Sequence, residues 1–352
     1  MGTITFLLVL SFLVFFHELG HFLAARYFGV KVHVFSIGFG KQLYSKEWMG
    51  TTWQFALIPL GGYVKMKGQD DSKPSLVESG DDSYNTKKPW QRIVILFAGP
   101  FANFILAAIL YFAIALMGAT TYAPQIGNVQ ENSPAAYAGL KVNDEIIKIN
   151  NTPIKSWDEI GKIIVNSDSS LKFFIKRDGE MIAKTINPYI SDTQNMFNEK
   201  IKKRMIGISP SGKIVNLNLS IGESLVYAYE KTVFASTMIF QGVQKLIQGV
   251  IPSSEVGGVI TIGKVISDAS QSSIIALFAI TALISVNLGV LNLLPIPALD
   301  GGHIMFNLYE MITRRKPSDQ VFMFLTIMGW VILGGLMLLG IYNDINRIFL
   351  NN

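Results

Sequence analysis

Four stretches of this chain are apolar for long enough to form the roughly 20-residue helix that a bilayer requires. They run from about Thr3 to Ala25, Ile93 to Met117, Ser273 to Leu294 and Val321 to Ile341, and each is expected to span a membrane. The first resembles the core of a cleaved signal peptide in composition. No basic residue precedes it and no small-residue cleavage site follows, so an uncleaved helix is expected. After it the pattern shortens to β-branched and aromatic runs. Thr51 to Ile58 and Tyr63 to Met66, separated by Pro59-Leu60-Gly61-Gly62, predict a hairpin or bent sheet edge. Val32 to Phe39 predicts a further strand, and the polar segment Asp70 to Asn85 a mobile loop.

The long connection between the second and third apolar runs has a different character. Ser133 to Leu140 reads as a small-residue helix closed by a glycine turn, and Asn143 to Asn150 as an acidic turn and alternating strand. This order resembles a PDZ domain. Leu171 to Lys176 and Met181 to Ile186, joined by Arg177-Asp178-Gly179-Glu180, predict a hairpin, with Met205 to Ile208 as a closing strand. One such domain fits 121–210, leaving 211–272 as a connecting region between membrane-core halves 1–117 and 273–352. Within the connection, Leu225 to about Val250 is amphipathic, with Phe234, Met238, Phe240, Val243, Leu246 and Ile247 as its apolar side, suited to a packed core or a membrane surface. The predicted fold class is an α-helical polytopic membrane protein: four transmembrane helices, a membrane-associated β-hairpin or sheet, and an inserted α+β domain.

Composition agrees with a membrane core plus a soluble module. Of 352 residues, 50% are hydrophobic and 16% charged, with a mean hydropathy of +0.37. A net charge of +5, with lysines spread out and no aromatic interleaving, gives no support to nucleic-acid binding. The absence of cysteine excludes disulfides, thiolate metal sites and cysteine nucleophiles. Ten basic residues from Arg26 to Arg92 lie between the first two apolar runs, and Arg314, Arg315 and Lys316 between the last two. Both short connections are therefore expected in the cytoplasm, with both termini and the inserted domain outside.

The chemistry begins inside the first apolar run. Ile4 to Phe16 carries no ionisable group, and then His17-Glu18-Leu19-Gly20-His21 follows. Each such group costs about 2.5–3.5 kcal/mol at mid-bilayer on insertion scales, so an intramembrane cluster points to function. Histidines four apart share a helix face and can hold one metal, and Glu18 beside them can take a proton from water. A catalytic zinc site usually has three protein ligands. Asp300 is the best third candidate, in Asn292-Leu293-Leu294-Pro295-Ile296-Pro297-Ala298-Leu299-Asp300-Gly301-Gly302, where prolines stop the third helix and two glycines permit close approach. His33 and His303 are rival ligands. Asn292 and Asn103 are suited to bonding the backbone groups of an unwound substrate.

These motifs, with Ala98-Gly99-Pro100-Phe101-Ala102-Asn103 in the second run, together resemble the site-2 protease family of intramembrane zinc metalloproteases, and within it the regulator-of-sigma-E protease branch. The resemblance covers nearly the whole chain. It implies His17, His21 and Asp300 as ligands of zinc (Zn2+) and Glu18 as catalytic base. It also implies Asn292, Pro295 and Pro297 in substrate handling and the sheet after the first helix in presenting a substrate strand. Better-known members carry two tandem PDZ domains, and proline is common where Lys41 follows Gly38-Phe39-Gly40 here. The implied activity is cleavage of single-pass membrane proteins in the bacterial inner membrane, with a peptide end as a candidate partner of the PDZ domain.

Two other classes fit parts of the pattern. A membrane scaffold presenting the PDZ domain has no need of Glu18. A metal transporter is disfavoured by only four histidines and no repeated acidic sites.

Overall fold

The computed structural model describes residues 2–69 and 80–349. Most of the segment expected as a mobile loop, 70–79, lies outside them. Two compact units emerge, one formed by 1–114 with 225–352 and the other by 115–224.

In the first unit, α1 (Gly2–Tyr27) leads into β1 (Val32–Trp48) and β2 (Thr51–Met66), and α2 (Pro89–Leu116) follows. The second unit holds β3 (Thr120–Tyr122), β4 (Ile126–Val129), α3 (Pro134–Tyr137), β5 (Glu145–Ile149), β6 (Thr152–Pro153) and α4 (Trp157–Val165). It continues with β7 (Leu171–Arg177), β8 (Glu180–Ile186), β9 (Tyr189–Gln194), β10 (Lys200–Met205), β11 (Ile208–Pro210) and β12 (Ile214–Asn216). The chain then forms α5 (Ile221–Ile247), α6 (Val259–Ser272), α7 (Ile274–Asn292), α8 (Asp300–Thr313) and α9 (Asp319–Phe349).

Four helices, α1, α2, α7 and α9, are long and apolar enough to cross a membrane, and they coincide with the four apolar runs. Three of them share a core, which joins Val9 and Leu13 of α1, Leu106 and Leu110 of α2 and Val286 of α7 with Ala235 of α5 and Ile266 of α6. Helix α9 is the least buried, at 11% of its span. Near its end, buried Asp344 accepts from the amides of Gly258 (3.0 Å), Ile260 (2.9 Å) and Thr261 (3.1 Å). A carboxylate thus satisfies free N–H groups at the start of α6.

The apolar side expected of α5 is only partly packed. Ser224, Ala228, Thr232 and Ala235 are its buried stripe, while Phe234, Phe240 and Ile247 are exposed. Small side chains let this helix approach the apolar core, Ile239 packs against it, and Met238, Val243 and Leu246 are half-buried.

Strands β1 and β2 are longer than their sequence signals. β1 bends where Gly38 and Gly40 have φ of 94° and 84°, and β2 bends at Gly61, φ 145°, values that favour glycine. The Pro59–Gly62 stretch is therefore a bend within one strand. Trp48 to Thr51 close an antiparallel hairpin, and Phe35 partners both Val64 and Trp53, so the first arm of β1 lies between two arms of β2. Exposed Phe39, Leu43, Tyr44, Phe55 and Leu57 make much of this sheet's surface apolar.

The second unit has a four-stranded sheet ordered β6-β5-β7-β8. Its core gathers Ile146, Ile149, Leu171, Phe173 and Ile175 from the sheet with Ile160 and Ile164 of α4. Asp178 and Gly179, at φ 50° and 91°, make the two-residue turn of the β7–β8 hairpin. The closing strand falls at β11, pairing Ile208 with Val129, slightly beyond the expected Met205–Ile208. The hairpin of β9 with β10 has no counterpart among the sequence expectations.

Candidate metal centre

The first two ligands follow from helical periodicity. His17 and His21, one turn apart on α1, bring their Nε2 atoms to 3.3 Å from each other. The third comes from beyond α7. Leu294 and Ile296 bond across the Pro295 turn (2.7 Å), and Leu299 returns to the Ile296 carbonyl (2.8 Å). This tight turn starts α8 at Asp300. A Cβ on Gly301 would meet the carbonyls of Leu293 and Leu294, and one on Gly302 that of Ile296, so the doubled glycine is what lets the turn fold over the helix start.

Asp300 Oδ2 consequently stands 3.3 Å from His17 Nε2 and 3.4 Å from His21 Nε2. Two imidazoles and a carboxylate are a zinc donor set, and corners of a zinc tetrahedron with bonds of about 2.0–2.1 Å lie about 3.3–3.4 Å apart. The three residues fit the ion in chemistry and in spacing. Among the described residues they form the one group of three or more His, Cys, Asp or Glu able to hold a metal. The rival histidines lie elsewhere: His303 packs between Phe306 and Phe322, and His33 sits on β1.

Glu18 lies within electrostatic reach of all three ligands and against the backbone of Val64. A Cβ on neighbouring Gly62 would come within 3.2 Å of Glu18 Cγ. The bare backbone of β2 at Gly62 is what admits the sheet this close to the glutamate.

Helix α2 forms the other wall. Gly20 of α1 is buried, and a Cβ there would run into the Ala98 carbonyl; a Cβ on Gly99 would strike the His21 ring. These glycines let α1 and α2 approach closely at the metal ligands. His21 Nδ1 donates to the Ile95 carbonyl at 2.9 Å, five residues before Pro100, which sits inside the same helix. Buried Arg92 meets Glu310 at 2.7 Å and ties α2 to α8, the helix that Asp300 opens. Sequence reasoning gave no site role to Gly20, Gly62, Arg92, Ile95, Gly99 or Glu310, although Gly20, Gly62 and Gly99 stand inside quoted motifs and Arg92 among the counted basic residues.

Of the residues expected to handle substrate, Asn292 ends α7, half-buried, with Pro295 exposed and Pro297 half-buried in the turn that follows. Asn103 is placed differently from its expected role. It is fully buried, and its Nδ2 lies 3.1 Å from His17 Nδ1.

Comparison with known proteins bears on the family and its metal. The pattern of Peptidase family M50 matches residues 5–336. The chain is 50% identical over 341 residues to "Putative zinc metalloprotease Cj1068" of Campylobacter jejuni, covering 97% of this chain and 92% of that protein. A protein described in the same words from Helicobacter pylori is 39% identical over 350 residues, covering 97% and 98%. "Metalloprotease MmpA" of Caulobacter vibrioides is 34% identical over 384 residues, covering 98% and 95%. The chain belongs to peptidase family M50, the site-2 protease family of zinc-dependent metalloproteases.

Proposed function

We propose that the protein is an intramembrane endopeptidase that hydrolyses a peptide bond within or near the transmembrane segment of a single-pass membrane protein. One observation carries this reading: His17 and His21, with Glu18 beside them on a helix of bilayer length, converge with Asp300, which opens α8 just beyond another such helix. Zinc held by these three residues supplies the positive charge that polarises a peptide carbonyl and acidifies water. Glu18 takes the proton of the attacking water and delivers it to the departing amide nitrogen. A helical substrate hides its carbonyls in hydrogen bonds, so a segment must unwind before attack. Asn292 is suited to bonding the freed groups, since unsatisfied backbone in lipid costs several kcal/mol. The arm of β2 at Gly62–Met66, beside Glu18, is suited to receiving the unwound segment as an added strand. The exposed apolar residues of the sheet favour its immersion in the bilayer.

The basic residues of the short connections support a cytoplasmic side for 28–88 and 314–318, within the inner membrane of a bacterium. The unit 115–224 then lies outside. Its helix, hairpin and closing strand support a PDZ domain, and we assign it control of substrate access by ectodomain size or by capture of a peptide end. Replacing 121–210 with a flexible linker tests that role: a size filter predicts preserved cleavage of a short-tailed substrate and faster cleavage of a long-tailed one.

The decisive experiment is to reconstitute the protein in vesicles with a single-pass reporter and map the cleaved bond by mass spectrometry. Cleavage inside the apolar segment is expected. Cleavage confined to the water-exposed flanks would overturn the intramembrane assignment.

A further inference from the structure

The two histidine ligands have opposite needs at their two ring nitrogens. Each turns Nε2 toward Asp300, and a neutral imidazole that offers the Nε2 lone pair carries its proton on Nδ1. His21 meets that requirement, because its Nδ1 donates to the Ile95 carbonyl at 2.9 Å. The partner of His17 Nδ1 is the Asn103 amide, with Nδ2 placed 3.1 Å away. In that orientation an N–H faces an N–H, while Asn103 Oδ1, buried, has no hydrogen-bond partner. Amide nitrogen and oxygen exchange places by a half-turn of the side-chain end, and the surrounding bonds decide which way it lies. The half-turn sets Oδ1 against Nδ1–H of His17. The contact with His17 decides the orientation.

Two further facts hold Asn103 at this post. Its side chain is 0% exposed, out of reach of a substrate backbone. Its own carbonyl accepts from Ser285 Oγ of α7 at 2.8 Å, fixing α2 against α7 at the level of the metal ligands. The geometry points to Asn103 as a positioning residue: its Oδ1 accepts the His17 Nδ1 proton and thereby holds the tautomer in which Nε2 ligates zinc. The inference rests on the metal assignment above and replaces the substrate-bonding role expected of this asparagine.

The test compares zinc affinity of the full-length wild type, Asn103→Leu and Asn103→Asp, by competition with a chromophoric chelator. Thermal unfolding of each metal-free form reports folding. Leucine removes the acceptor at similar volume and is expected to weaken zinc binding by about 10–100-fold, the usual effect of losing such an outer partner. Aspartate accepts but cannot donate, so it is expected to hold zinc as tightly as asparagine or more so. A donor role for Asn103 predicts that aspartate fails together with leucine. A substrate role predicts unchanged zinc affinity in both, with only KM raised. Either result overturns the inference. If Asn103→Asp does not fold, Asn103→Leu decides with a second readout, the visible absorption of the cobalt-substituted protein. Weaker binding with an altered spectrum upholds the tautomer role, and wild-type affinity removes it. A wild type that binds no zinc would instead overturn the metal assignment itself.

Discussion

His17 Nε2 stands 3.3 Å from Asp300 Oδ2, although one belongs to the first helix and the other opens α8 beyond the third membrane-length helix. Three acceptor atoms held at this separation, each about one zinc-tetrahedron edge from the next, repel one another unless a cation or proton lies between them. Asp300→Ala should therefore lose most bound zinc. His303→Ala should keep it, because His303 packs against Phe306 and Phe322, and His33→Ala should keep it as well. Metal content of the purified variants checks this, and equal loss in all three would refute the ligand set.

The glycines at the α1–α2 crossing give a second prediction. A methyl group at Gly20 runs into the Ala98 carbonyl, and such overpacking typically costs about 1–3 kcal/mol. Gly20→Ala should unfold at lower temperature than wild type. Gly99→Ala, which presses on the His21 ring, should lose zinc affinity as well. Gly161→Ala on α4, where a Cβ meets nothing within 4 Å, is the control, expected at or above wild-type stability.

The Arg92–Glu310 pair, at 2.7 Å and with both side chains largely buried, should behave asymmetrically. Removing one partner leaves an uncompensated charge, at a cost of about 3–5 kcal/mol. Arg92→Met and Glu310→Leu should each destabilise strongly, and the double variant should recover most of the loss. Denaturation of the four forms in matched detergent measures the coupling, and simple additivity would show that the ion pair contributes nothing.

Much of this architecture was legible in the sequence, for a physical reason. A bilayer demands long unbroken apolar runs, so α1, α2, α7 and α9 announce themselves, and ionisable groups within such a run stand out against a high insertion cost. His17, Glu18 and His21 were visible on that ground, and Asp300 through the prolines and glycines that shape its turn. What stayed hidden depends on which way an element faces. The buried stripe of α5 includes Ser224, Ala228, Thr232 and Ala235, which no hydrophobic pattern picks out over Phe234 and Phe240. Gly38 and Gly40 read as the end of a strand, whereas β1 bends there and continues to Trp48. The partnership of Asn103 with His17 requires knowing the rotation of α2 about its axis.

Topology provides a further check, because the chain contains no cysteine to interfere with labelling. Lys88→Cys, exposed before α2, should resist an impermeant thiol reagent in intact cells. Asn151→Cys, exposed in the second unit, should react. Labelling of position 88 would place the metal centre on the opposite side from the one the charge distribution predicts.

The most direct measurement of the central claim is paired zinc content and cleavage in Glu18→Gln. Glutamine keeps the size of the side chain and touches none of the three ligand atoms, but it cannot accept a proton at pH 7. The variant should bind zinc as the wild type does and release no product from the membrane reporter, with activity down by at least about 100-fold, the low end for a lost general base. Wild-type zinc content with substantial residual cleavage would contradict the assignment of Glu18 and the hydrolytic mechanism built on it.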